Sequence, residues 1–294
     1  MKPLEGKIAI AGGASRGAGR GIAVALGEAG ATVYVAARTS KDGPRPADGL
    51  PGTVEETAEE LTARGGRGIA VPADLGDEAQ VAALFQRVEK EHGRLDILVN
   101  AAWYSHIMSD WSQAFWKLSS ARWQEMLQIV SAYWLTGVHA ARVMERQGHG
   151  LIAYVTDRQI SDPSVYYGQM TWDVGHHAIE RLVLGMGEEL KKSKVAVVGM
   201  NPGFMRTERV LGHMRRASDA ERRQFRFDLS ETPEYVGRAV AALAADPRAM
   251  RKSGQLLWAA DLAKEYGFTD VDGRTIPRFD PQAPAQEIPP EWLR

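Results

Sequence analysis

The 294-residue chain contains no cysteine, which excludes disulfides, thiol nucleophiles and cysteine-built zinc sites. No uninterrupted apolar run approaches the length of a membrane span, and the first apolar strand-like run follows Met1 too closely to leave room for a signal peptide. Positive charge is not in excess either: the formal net charge is −1 and there is no long basic run, so neither nucleic acid nor a membrane surface is an expected partner. These absences point to a soluble, cytoplasmic protein that works on a small molecule and carries no metal site. No internal repeat is visible.

What is present suits a large core. At 44% hydrophobic the chain has enough apolar residues for a single one, and alternating strand and helix patterns cross every plausible boundary, so residues 1–294 read as one domain. Apolar runs of the kind buried on both sheet faces occur at 7–11, 32–37, 69–71, 97–99, 151–155, 195–198 and 255–258. Helical spacing occupies about 17–29, 53–64, 77–92, 122–147, 172–192 and 233–245 between them. About seven strands with intervening helices predict an α/β protein with one doubly wound, Rossmann-type parallel sheet. Three stretches break the alternation: a Pro- and Gly-rich loop at 41–52, a Trp-rich insertion at 103–123 holding Trp103, Trp111, Trp116 and Trp123, and an extended C-terminal tail at 262–294, proline-rich from Asp280 and expected to run over the surface or a neighbouring subunit.

The first strand leads into Gly12-Gly13-Ala14-Ser15-Arg16-Gly17-Ala18-Gly19, and a helical pattern begins at once. Strand, glycine turn and helix together let backbone N–H groups approach a pyrophosphate at the positive end of a helix. Gly13, Ser15, Arg16, Gly17 and Gly19 are therefore candidate cofactor residues. The second strand ends in Arg38 and Thr39, where a site for NAD carries an acid for the ribose hydroxyls. A cation there favours a 2′-phosphate, and Arg16 offers a second positive contact, so NADP is expected ahead of NAD. The opposing reading of both arginines is solvated surface charge.

Several motifs in order resemble the short-chain dehydrogenase/reductase family over nearly the whole chain: Gly13-x-x-x-Gly17-x-Gly19, Asp74-Leu75, Asn100-Ala101-Ala102, and Asn201-Pro202-Gly203 with Thr207. Within the family, Asn100-Ala101-Ala102-Trp103-Tyr104, Ala114-Phe115-Trp116 and the late Asp261-Leu262-Ala263 to Arg274 stretch look most like its member 1 type. The resemblance implies that Asp74 and Leu75 meet the adenine side, that Asn100 and Ala101 support the cofactor-side turn, and that Pro202, Gly203 and Thr207 lie by the nicotinamide. It also implies a homodimer or homotetramer formed through the helices near 122–147 and 172–192.

The family's catalytic Tyr-x-x-x-Lys is missing from its expected helix. Aligning that helix on His177-Ala178-Ile179-Glu180 puts Trp172 in the tyrosine position and His176 in the lysine position. His176 also falls where the family's lysine holds the cofactor ribose. The family's serine falls on Thr156 or Asp157, and its asparagine near Val130 or Ser131. Trp172 has one N–H donor and cannot relay a proton, whereas a histidine titrates near neutrality and an Asp157–His176 pair would form an acid/base couple. Tyr167, or Tyr166 beside it, offers an alternative hydroxyl, with Ser161 or Ser164 nearby. Packing is the competing reading for Trp172, and turn capping for Asp157. Three functions remain open: an NADP-dependent oxidoreductase for a small or medium carbonyl or imine-like substrate with a non-standard proton relay; a non-redox lyase, isomerase or cyclase on the same scaffold; and a non-catalytic NADP-binding protein.

Overall fold

A computed structural model describes residues 2–43, 46, 49–103, 113–156, 166, 169–280 and 282–293. In chain order they form β1 (Ile8–Gly12), α1 (Gly17–Glu28), β2 (Thr32–Ala37), α2 (Val54–Ala63), β3 (Arg67–Pro72), α3 (Glu78–His92), β4 (Ile97–Asn100), α4 (Ser120–Gln147), β5 (Gly150–Val155), α5 (Met170–Glu189) and β6 (Val195–Asn201). Two short helices follow, α6 (Glu208–Met214) and α7 (Asp219–Gln224), then α8 (Pro233–Ala245), β7 (Leu256–Trp258) and α9 (Ala259–Tyr266). Helix starts are chemically marked. Thr53 and Glu56 form a reciprocal capping box on α2, Asp77 accepts from the first turn of α3, and Pro233 opens α8.

All seven strands pair in parallel in the order β3-β2-β1-β4-β5-β6-β7. Side chains alternate between two apolar layers. Ala9, Ala11, Val33, Val35 and Val99 face α1, α2, α8 and α9; Ile8, Ile10, Tyr34, Leu98 and Ile152 face α3, α4 and α5. This two-sided burial explains why the strands read as unbroken apolar runs. On the first face α1 crosses α8 closely: a Cβ at Gly21 would collide with the backbone of Pro233. On the other, Tyr154 donates its hydroxyl to the carbonyl of Tyr133 and Tyr133 donates to Val155, which fastens α4 to β5.

The expected elements recur with shifted ends: α5 stops at Glu189 rather than 192, and β6 continues to Asn201. Three helices, α6, α7 and α9, lie where none was expected. The span 262–294 is accordingly tail only after Tyr266. The tail runs back across its own chain and buries Trp292 against Met214, Ala217 and Phe227, with the Arg206 and Arg274 guanidinium groups 3.8 and 4.1 Å from its ring centre.

Candidate functional site

Strand order reverses direction of growth between β1 and β4, and in open parallel sheets ligands bind at the carboxyl ends beside such a switch. A cleft of about 690 Å³ opens there. Its near wall is the glycine loop. Gly13 has φ +71 and a Cβ on it would come within 2.6 Å of Ala102, so the residue allows both the turn and its contact with the segment after β4. A Cβ at Gly19 would strike the Gly13 carbonyl, so Gly19 seats α1 on the loop without lining the cleft. Asn100 also lies beneath the wall: it donates to the Ala132 carbonyl and Thr136 hydroxyl and accepts from the Ala102 N–H at 2.9 Å. Ala101 and Ala102 are held at the cleft by that bond network.

Ser15, Arg16, Gly17, Arg38, Asp74, Leu75, Pro202, Gly203 and Thr207 all line the cleft. Arg16 also donates to the carbonyls of Pro51 and Gly52 at 2.9 and 3.0 Å, tying the 50–52 stretch to the loop. Arg38 is exposed at the end of β2. The Asp74 carboxylate accepts from the Gly76 N–H and holds its own turn. Thr207 caps α6 through a bond from the Val210 N–H, and the next residue, Glu208, accepts the Gly17 N–H at 2.8 Å. That N–H stands at the start of α1, where an anion is favoured, so the loop already holds a carboxylate oxygen.

The far end is built by β5 and α5. Gln169 caps α5 by accepting the Trp172 N–H. Trp172 and His176 then fall one turn apart on the buried face, 7% and 5% exposed. Thr156 Oγ1 lies 3.1 Å from His176 Nδ1. Trp103 stacks on the imidazole with centroids 4.3 Å apart and planes 16° apart, and Trp172 meets it at 4.5 Å and 60°. Enclosed by two indoles, His176 is pushed down to about 3, mainly by burial and then by neighbouring His177. Burial thus moves the ring below the neutral titration range expected of it and keeps it neutral at physiological pH, the form that accepts a proton rather than gives one. Asp157, Tyr167, Ser161, Ser164 and Trp111 lie outside the described residues; Tyr166 is described and exposed.

On α4 the cleft is lined by Glu125, Gln128, Ile129, Ala132 and Tyr133, and not by Val130 or Ser131, where the family's asparagine was expected. The pocket face of α4 therefore runs through other residues of the same turns. Sequence reasoning passed over Glu125, Tyr133 and Trp103 as site residues. The spacing of Glu125, Ile129 and Tyr133, four residues apart on one helical face, was the available signal. Burial, with the adjacent Tyr154, raises the Tyr133 hydroxyl far above its ordinary range, so it is a hydrogen-bonding group rather than an acid.

Relatives agree with this architecture. The short chain dehydrogenase family model matches residues 7–216. The chain is 35% identical to the "Dehydrogenase/reductase SDR family member 1" proteins of Mus musculus and Homo sapiens; the mouse match covers 94% of this chain and 87% of that one, the human match 93% and 86%. Among solved structures, a putative dehydrogenase from Xanthomonas campestris superimposes with a TM-score of 0.76 at 25% identity over 95% of both chains. A 7α-hydroxysteroid dehydrogenase complexed with NADH and 7-oxo glycochenodeoxycholic acid shares the fold, with a TM-score of 0.67 at 23% identity over 87% of this chain and 93% of that one. Fold, motif order and identity over most of its length place the chain in the short-chain dehydrogenase/reductase family, a family of oxidoreductases.

Proposed function

We propose that the protein is an NADP-dependent oxidoreductase whose substrate is a small or medium carbonyl or, preferentially, imine-like compound. The observation that carries this reading is one continuous cleft joining a glycine cradle and Arg38 at one end to a buried Thr156–His176–Trp172 wall at the other. The residues fit a dinucleotide. The Gly13 turn leaves no room for a side chain, and the loop N–H at Gly17 already receives an anionic oxygen. Arg38, with Arg16 behind it, supports a 2′-phosphate, and the β2 end offers no acid to repel one. Asp74 and Leu75 would flank the adenine, and Pro202, Gly203 and Thr207 the nicotinamide.

When bound, a nicotinamide dinucleotide supplies or accepts hydride at the substrate carbon. This chain's residues would orient the substrate against it and exclude water; Trp103, Trp172 and His176 supply flat apolar walls for that purpose. Burial keeps the His176 ring neutral and raises the Tyr133 hydroxyl far above its ordinary range, so neither has a proton to give near neutrality. An iminium substrate needs none. Hydride forms the new C–H bond, the C=N π pair settles on nitrogen, and the positive charge disappears. That balance is why imine-like substrates are preferred here over ketones, whose alkoxide must be protonated.

The same proposal has the sheet, insertion and tail acting as one domain, a cytoplasmic working place in keeping with a cysteine-free chain, and assembly into a dimer or tetramer. Trp123, Leu127 and Trp134 form an exposed stripe along α4, with Leu184 exposed on α5, which supports association there. The test is loss of NADPH absorbance across paired ketones and cyclic iminium ions. Turnover of iminium members ahead of their ketone partners is expected; no turnover with any member defeats the redox reading, and product without net change of cofactor points to a non-redox reaction.

A further inference from the structure

Three carboxylates line the cleft, and two have an internal task. Asp74 accepts from Gly76 N–H and Glu208 from Gly17 N–H. The third, Glu125, has its Oε2 atom buried from solvent with no hydrogen-bond partner among the described residues. A buried acceptor left unmet is a standing cost, and native structures keep such atoms chiefly where something else completes them.

Its place on α4 identifies what would do so. Glu125 precedes Met126, which packs onto α5 at Gly175: a Cβ there would lie 3.1 Å from the Met126 side chain and 3.5 Å from the Trp103 ring. Gly175 sits immediately before His176, so the turn of α4 that carries Glu125 packs where Trp103 and His176 line the cleft. The cations that line the cleft, Arg16, Arg38 and Arg209, come from the glycine loop, the β2 end and α6. A carboxylate that lines the same cleft as two indoles is the chemistry that receives a positively charged nitrogen, the oxygen accepting its N–H and the ring faces attracting its charge.

We propose that Glu125 determines substrate specificity, selecting organic cations that carry an N–H: protonated cyclic amines and their iminium forms. This rests on the oxidoreductase reading for its chemistry but not for its binding. Glu125 compensates the charge of the substrate nitrogen; the hydride step asks no proton of it, because addition of hydride to the iminium carbon itself neutralises the nitrogen. The nicotinamide dinucleotide is the reductant in that direction and the oxidant in the reverse, where the bound ammonium first gives one N–H proton to solvent and the neutral amine's lone pair then forms the C=N bond as hydride leaves carbon for the dinucleotide.

The test compares two probes of nearly identical shape, tetrahydroisoquinolinium and its neutral oxygen counterpart isochroman, by isothermal titration calorimetry against the full chain with NADP present. Wild-type protein is expected to bind the amine roughly tenfold or more tightly than the ether, the range of one charged hydrogen bond. Glu125→Gln should erase that preference while leaving isochroman and NADP binding unchanged, and Glu125→Asp should keep part of it. Equal binding of the two probes, or a preference that survives Glu125→Gln, overturns the proposal. NADPH oxidation by dihydroisoquinolinium, followed separately, reports on the redox reading: a Glu125-dependent preference without turnover keeps this inference and removes that one, and turnover without the preference does the reverse.

Discussion

At His176 the family slot and the local environment pull in different directions. Register on α5 was legible from the sequence, because His177 to Glu180 fixes it, but protonation state was not: that depends on Trp103 arriving from another segment to cover the ring. Burial lowers the folded-state value to about 3, against about 6.5 for an unfolded histidine. The unfolded chain therefore takes up a proton that the folded chain refuses between those two values, so stability is full above about pH 6.5 and falls as pH drops toward 3, by up to about 1.4 kcal/mol per unit. In urea titrations His176→Phe should flatten the stability profile over that window, and an unchanged slope would place the proton elsewhere. Arg38 makes a second prediction at this scale. If it meets a 2′-phosphate, Arg38→Asp weakens NADPH by roughly tenfold or more and spares NADH, as read by nicotinamide fluorescence; equal losses for both would make it a general surface charge.

Elements were read best where burial was two-sided. β2 lies at 32–37 as expected, because every residue from Val33 to Ala37 is buried and the apolar run has no competing interpretation. α6 and α7 were missed because they are 7 and 6 residues long, too short for a periodic apolar stripe, and are held by Thr207 and Ser218 caps, α6 also by contact with the tail. The apolar pattern also could not reveal how closely α1 and α8 approach. Gly21 on one faces the Pro233 backbone of the other, and backbone cannot rotate away as a side chain can. Gly21→Ala should therefore cost about 1–3 kcal/mol despite improving helix propensity, measured as a lower urea midpoint. A gain in stability would show that the two helices part easily. In the candidate site the same division holds: the glycine cradle follows from local sequence, whereas Glu125 and Tyr133 enter through packing of α4 against the sheet.

For the molecule as a whole, an apolar stripe on α4 is left on the surface while both sheet faces are covered by helices. A charge at its most exposed residue tests whether that stripe is buried by another copy: Trp134→Glu should sediment as a monomer where the wild type sediments as a dimer or tetramer, and identical sedimentation would refute assembly through α4. Sequence distance conceals a second whole-molecule relation, since Gly17 and Glu208 stand 191 residues apart and share a hydrogen bond. With that N–H already engaged, filling the glycine loop is an exchange rather than an addition. A phosphate oxygen that accepted this N–H would have to displace the carboxylate of Glu208, the first residue of α6. One hydrogen bond thereby couples the glycine loop to the start of α6, and both line the cleft.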